Sequence, residues 1–159
     1  MALYEGTFIH LLHRATQTAH ELFESATLDH TVTPRQYIVL AAIAECEGTS
    51  QRRIAEVTGV DRSTLTDLIR RLINLGLLMR QRSRRDMRSD FLTLTPLGHE
   101  ILKGADASAK SVDQELLRTL PPGAGQDLVV ALENIARART TTPPAQPGRA
   151  SRQPLRRQT

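Results

Sequence analysis

Residues 54–66 read Ile54-Ala55-Glu56-Val57-Thr58-Gly59-Val60-Asp61-Arg62-Ser63-Thr64-Leu65-Thr66. Ile54, Ala55 and Val57 belong to a short helix that Ser50 can cap. Gly59 ends it, because a left-handed turn residue without a Cβ meets no steric penalty. Asp61 then caps a second helix, which carries Leu65, Leu68, Ile69, Leu72 and Ile73 on one face and ends at Gly76. Ala55 is small enough for two helices to approach closely, and Val60 and Leu65 fill the angle between them. The pattern predicts a helix-turn-helix whose second helix, 61–75, lays its polar face in the major groove of DNA. Asp61, Arg62, Ser63, Thr64, Thr66, Asp67 and Arg70 lie on that face or in the first turn, with Ser50 and Arg52 on the helix before. Ser63 and Thr64 also bring backbone N–H groups to a helix N-terminus, a ready phosphate site.

Past Gly76 the apolar period changes from helical to two. Leu77–Arg82 and Ser89–Thr95 predict two short strands around the polar tip 83–88. Arg84, Arg85 and Arg88 at that tip can enter a minor groove, where narrow A·T-rich stretches attract guanidinium groups. Asp86 is close enough to orient Arg88 by a charge-assisted bond. The charge distribution agrees. Residues 52–88 hold ten Arg against four acids, while the whole chain has a formal charge of +4, all of it accounted for by Arg149, Arg152, Arg156 and Arg157 in the last twenty residues. Positive charge gathered on one segment between net acidic flanks is the footprint of a polyanion partner. Asp67 sits oddly on such a face: it can accept from a cytosine amino group, or simply pair with Arg70 or Arg71 at helical spacing.

Outward from this unit the chain is helical. Tyr4, Phe8, Leu11, Leu12, Ala15, Ala19, Leu22, Phe23 and Ala26 form one stripe of a long first helix, with another helix, from this or a second subunit, as the expected cover. Thr33-Pro34-Arg35-Gln36 is a capping box with Pro at the first helical position, opening a helix that stops near Gly48. Thr95-Pro96 starts a long helix striped with Ile101, Ala105, Ala109, Val112 and Leu116. Pro121-Pro122-Gly123 breaks it, and a last helix should turn Leu128, Leu132 and Ile135 inward. From Thr140 the Pro, Gln, Thr and Arg composition predicts a disordered basic tail, 140–159. The fold expected is mainly α with a small β-hairpin wing: a winged helix-turn-helix over 34–95, and a dimerisation region from 1–33 and 96–139.

The run Asp86-x-Arg88, then Leu94-Thr95 and Gly98, resembles the signature of the multiple-antibiotic-resistance regulator (MarR) family, and the resemblance extends over about residues 5–138. It implies a homodimer whose first and last two helices interlock, a pseudo-palindromic double-stranded DNA operator, and repression relieved by a small molecule. By position it makes Arg88 the wing arginine and Asp86 its orienting acid. In this family the effector often sits between dimer helices and the winged unit. His10, His13, Gln17 and His20 form a polar stripe beside Arg14, so Arg14 with a neighbouring His can hold a carboxylate, with Phe8 or Tyr37 against an aromatic ring. The segment 11–17 also resembles regulators of aromatic-acid breakdown. An aromatic carboxylate is therefore the expected inducer; the alternative is that these residues are solvated or bond between subunits.

A zinc-responsive regulator is a further alternative, with His20 and Glu24 four apart and His99 or Cys46 completing a site. Cys46, the single cysteine, excludes an internal disulfide. With Glu45 and Glu47 beside it, it reads as a small core residue rather than a thiolate sensor. No GxSxG, phosphate-cradling Gly loop or HExxH motif is present, which argues against an enzyme, and no cofactor is expected. A helical interaction module without DNA binding is the remaining alternative, but it leaves the local Arg surplus unexplained. No apolar run approaches the roughly 20 residues of a membrane span, so a cytoplasmic protein without membrane contact is expected.

Overall fold

The computed structural model describes residues 4, 6–27, 32–46, 48, 50–82 and 90–138. The elements are α1 (Phe8–Ala26), α2 (Pro34–Glu45), α3 (Gln51–Thr58), α4 (Arg62–Asn74), β1 (Leu78–Arg82), β2 (Asp90–Leu94), α5 (Pro96–Arg118) and α6 (Ala124–Ala138). The strands pair antiparallel with Leu78 opposite Leu94 and Arg82 opposite Asp90. The chain divides into two compact units after Pro121, and α6 belongs to the second.

Local chemistry sets each helix start. The Thr33 hydroxyl accepts the Gln36 backbone N–H at 3.3 Å, and the Gln36 side chain accepts the Thr33 N–H at 2.9 Å, completing the capping box. Ser50 accepts from the Arg53 N–H at 3.3 Å. Thr95 accepts from the Gly98 N–H at 2.9 Å and donates to the Gly76 carbonyl at 2.6 Å, so one hydroxyl caps α5 and ties it to the root of the strand ribbon. Gly59 sits at φ 68° and Gly76 at φ 71°, which is why the turn after α3 and the turn after α4 both use glycine.

The core of the first unit is built from Val39, Leu40 and Ile43 of α2, Ile54 of α3, Leu65, Ile69 and Leu72 of α4, the ribbon residues Leu78, Leu92 and Leu94, and Ala105 and Val112 of α5. Each large aliphatic side chain so buried contributes about 1.5–3 kcal/mol. The helix α1 joins this core through Phe23, whose ring lies 5.5 Å from that of Tyr37. Ser108 of α5 donates to the Ala26 carbonyl at 3.0 Å and fastens the end of α1.

Two sequence expectations need correction. The first helix begins at Phe8 behind a Thr7 cap rather than at Tyr4, because Thr7 offers the first N-terminal N–H groups an acceptor. The apolar stripe of α6 does not turn inward: Leu128, Leu132 and Ile135 are each about two-fifths exposed and α6 buries no residue. The described part of its unit is that one helix, which has no second element of its own to bury against. The first half of the α1 stripe is likewise open, with Tyr4, Phe8 and Leu11 more than half exposed. The tail from residue 140 lies outside the described residues.

Candidate nucleic-acid interface and effector cavity

The start of α4 is organised by Asp61. Its Oδ1 accepts from the Thr64 N–H at 3.0 Å and from the Ser63 hydroxyl at 2.6 Å. The Ser63 hydroxyl first, and then Thr64, hold the Asp61 carboxyl well below the usual carboxylate range. Asp61 is therefore a committed cap, and the Thr64 N–H expected to bind phosphate is already taken by it. Arg62, Thr66, Asp67 and Arg70 are exposed along α4, as expected of a reading face. Asp67 pairs with Arg70 one turn on, which is the second of the two readings its position allowed. The ion pair neutralises part of the positive charge α4 presents.

On α3, Ser50 acts as the cap. Arg52 pairs with Glu56 at 3.0 Å, and Arg53 reaches the same carboxylate at 3.6 Å. Arg52 foremost, then Arg53, lowers the Glu56 pKa. One contact was invisible in the sequence: the Gln51 amide of α3 donates to the Thr66 hydroxyl of α4 at 3.0 Å. Nothing local marks this pair, since fifteen residues separate them. Arg84, Arg85, Asp86 and Arg88 lie outside the described residues. Arg80, at the base of the ribbon, is exposed.

Two cavities adjoin this unit. The first, about 320 Å³, is lined by Thr16 and His20 of α1, Arg35 and Ile38 of α2, and Thr58–Asp61 and Thr64 at the turn into α4. The second, about 380 Å³, shares Thr16, His20 and Ile38, and adds Phe23, Tyr37 and the α5 residues Ala109, Val112, Asp113 and Leu116. Both fall in the size range of small-molecule pockets. Tyr37 donates its hydroxyl to Asp106 Oδ1 at 3.1 Å, and Asp106 Oδ2 pairs with Lys110 at 2.6 Å. Burial first, then the Asp106 bond, pushes the Tyr37 pKa up; Lys110 first, then Tyr37, pulls that of Asp106 down.

Of the six residues expected at an effector, only Tyr37 lines either cavity. Phe8, His13, Arg14 and Gln17 are exposed on α1, and His10 stacks edge-on against Tyr4 at 5.2 Å. His20, the last member of the polar stripe, is the one that turns into both cavities. Arg35, read only as part of a capping sequence, supplies the guanidinium. Among the described residues no three His, Cys, Asp or Glu side chains come together to hold a metal ion, so the zinc-responsive alternative finds no site there. Cys46 is half-buried and packs against the core. Among the described residues no helix is long and apolar enough to cross a membrane.

A short helix, a glycine turn, a second helix with an apolar inner and a polar outer face, and an antiparallel ribbon behind it define a winged helix-turn-helix, the fold of DNA-binding regulators. A family model described as the MarR family matches residues 30–89. The transcriptional regulator HosA of Escherichia coli O111:H- is 33% identical over 127 residues, 77% of this chain and 93% of that protein. Among solved structures, Bordetella bronchiseptica BpsR, whose DNA binding is regulated by 6-hydroxynicotinic acid, superposes with a TM-score of 0.70 at 28% identity, over 80% of this chain and 96% of that one. Streptomyces coelicolor PcaV, solved with its natural ligand, gives 0.71 at 29% identity, over 89% and 98%. The chain belongs to the MarR family. It is a DNA-binding transcriptional regulator, and not an enzyme.

Proposed function

We propose that the protein binds a pseudo-palindromic operator as a homodimer, represses from it, and is released by an aromatic carboxylate. The observation that carries this reading is the first cavity. It is walled at once by α1, by α2 and by Asp61 and Thr64 at the cap of α4, so an occupant would touch the element that enters the major groove. Arg35 and His20 give such an occupant charged and polar partners for a carboxylate. Phe23 and Tyr37 in the adjoining space give an aromatic ring apolar walls. The likeness to BpsR, which responds to 6-hydroxynicotinic acid, supports that ligand class.

The first helix and the segment 96–139 form the dimerisation region in this reading, and 34–95 the DNA-binding domain. The exposed apolar stripe of α1 and that of α6 support a second copy as their cover. Phe8, His10, His13, Arg14 and Gln17 then join the effector's surroundings once that face is covered. On DNA, Ser50, Arg52, Arg62, Ser63, Thr64, Thr66 and Arg70 meet the major groove and its phosphates, with Asp67 paired to Arg70 among them and Asp61 holding the helix that carries them. Arg84, Arg85 and Arg88, steadied by Asp86, reach the minor groove. The test is a mobility-shift and footprinting titration on the promoter of its own gene, with benzoates, hydroxycinnamates and hydroxynicotinates added. A two-fold footprint released by one of these acids, with matching heat in calorimetry, is expected. No heat and no release from any of them would remove the aromatic-acid reading; a one-sided footprint would remove the dimeric one.

A further inference from the structure

Thr66 stands exposed on α4, and its hydroxyl is committed on two sides. Its proton goes to the Arg62 carbonyl, 2.8 Å away in the preceding turn. One lone pair accepts the Gln51 amide at 3.0 Å. A hydroxyl has one donor and two acceptor lone pairs, so a single lone pair is left to face outward. Gln51 comes from the first turn of α3, so both helices of the reading unit fix this one group. The pair shares a cleft of about 290 Å³ with Arg52, Arg62 and Leu65, which puts two arginines beside it.

An unconstrained Ser or Thr hydroxyl can meet either a donor or an acceptor on a base edge. One whose proton is already spent cannot. In the major groove the exocyclic amino groups of adenine and cytosine are donors, whereas guanine O6 and N7 and thymine O4 are acceptors and would face a lone pair. We infer that Gln51 is a specificity-setting residue: with the Thr66 proton held by the Arg62 carbonyl, the Gln51 amide fills one of the two acceptor directions and leaves the other for the groove, an acceptor-only reader that selects adenine or cytosine at one position of each half-site. The inference rests on the operator-reading role proposed above. Remove the Gln51 amide and the proton stays on the Arg62 carbonyl, but the second lone pair opens and nothing from α3 fixes the direction in which Thr66 accepts, so the selection is lost.

The experiment is selection of full-length protein on a random-sequence duplex library, followed by sequencing of the bound pool. Wild type, Gln51→Ala, the length-preserving Gln51→Met and Thr66→Val are compared. Wild type should enrich one position per half-site for adenine or cytosine by roughly 10-fold, the worth of one good base contact. Both Gln51 variants and Thr66→Val should flatten that same position to within about 2-fold and leave the others intact. The slope of affinity against salt should not change in the Gln51 variants, because no charge is lost. An unaltered motif in the Gln51 variants overturns the inference. So does flattening at a different position from Thr66→Val, enrichment of guanine or thymine there, or a uniform loss across all positions of the kind a folding defect produces. If wild type enriches no motif at all, the operator-reading function itself fails, a result distinct from the others.

Discussion

Gly98 lies in the first turn of α5, where the helix passes over the root of the ribbon. A Cβ built there falls 2.1 Å from the Leu77 carbonyl oxygen, 3.0 Å from its carbon and 3.4 Å from its Cα. Real Cβ contacts essentially never close below 3.0 Å, so in Gly98→Ala either α5 or the Leu77 peptide must give way by about 0.9 Å, and backbone yields only at the cost of an overpacked core. That carbonyl is not idle. It accepts the Thr95 N–H at 3.0 Å, and Thr95 in turn caps α5 and holds the Gly76 carbonyl. Overpacking of this kind costs about 1–3 kcal/mol and strain on the Thr95 cap about 1 kcal/mol more, against about 1 kcal/mol gained from replacing a helical glycine. The net destabilisation is about 1–3 kcal/mol, a fall in Tm of roughly 3–10 °C for a chain of this size.

Gly104 in the same helix supplies the control. It is exposed and nothing lies within 4 Å of a Cβ added there, so Gly104→Ala should stabilise by about 0.5–1 kcal/mol. Thermal melts of both variants at one protein concentration make the comparison, since association shifts Tm by mass action. Gly98→Ala should melt below wild type and Gly104→Ala above it. If both variants gain stability, the close approach of α5 to Leu77 is not rigid and the steric argument is wrong. Operator affinity gives a second readout. The ribbon root moves with Leu77, so Gly98→Ala should bind DNA more weakly even at temperatures where it is fully folded.

Four further outcomes are expected. Arg88→Ala should lower operator affinity by roughly 5- to 100-fold if the wing enters the minor groove, the worth of one good base-edge contact; unchanged mobility shifts would remove that role. Asp67→Ala frees Arg70 from its ion pair, so binding should tighten and the salt slope of log affinity should steepen by about 1; weaker binding would instead make Asp67 a base reader. Tyr37 has its pKa raised above the ordinary 10.0, so the stability it brings is full below pH 10 and is lost as pH rises through the raised value. Melts across the alkaline range should show that loss in wild type and not in Tyr37→Phe. His20→Ala should abolish calorimetric binding of the releasing acid while leaving operator affinity within about 2-fold, as expected of a residue outside the DNA contact; retained binding would displace the effector from the first cavity.

What could be read in the sequence is what is decided within a turn or two of chain. The caps at Thr33, Ser50, Asp61 and Thr95 all make the bonds their residue types promised, because donor and acceptor sit three residues apart whatever the tertiary fold. The ribbon was legible for the same reason: alternation at 78–82 and 90–94 is a local pattern. What was not legible depends on contacts between distant elements. The polar stripe of α1 gave no sign of which member would face inward. That is set by Phe23 docking against Tyr37 and by Ser108 pinning Ala26, which turn His20 and Thr16 to the cavities and leave His13 and Arg14 exposed. Gly98 stands in the signature run, but why that position is glycine is not legible until Leu77, twenty-one positions earlier, is seen beneath it. The long-range pieces also meet: the cavity that receives His20 and Arg35 is closed by Asp61, the residue whose cap starts α4. In the proposed switch, a carboxylate entering beside Arg35 meets another carboxylate already committed to that cap, and like charges held close in a partly enclosed space repel. Moving the turn at Gly59–Asp61 would relieve that repulsion, and would carry with it the start of the helix that reads DNA.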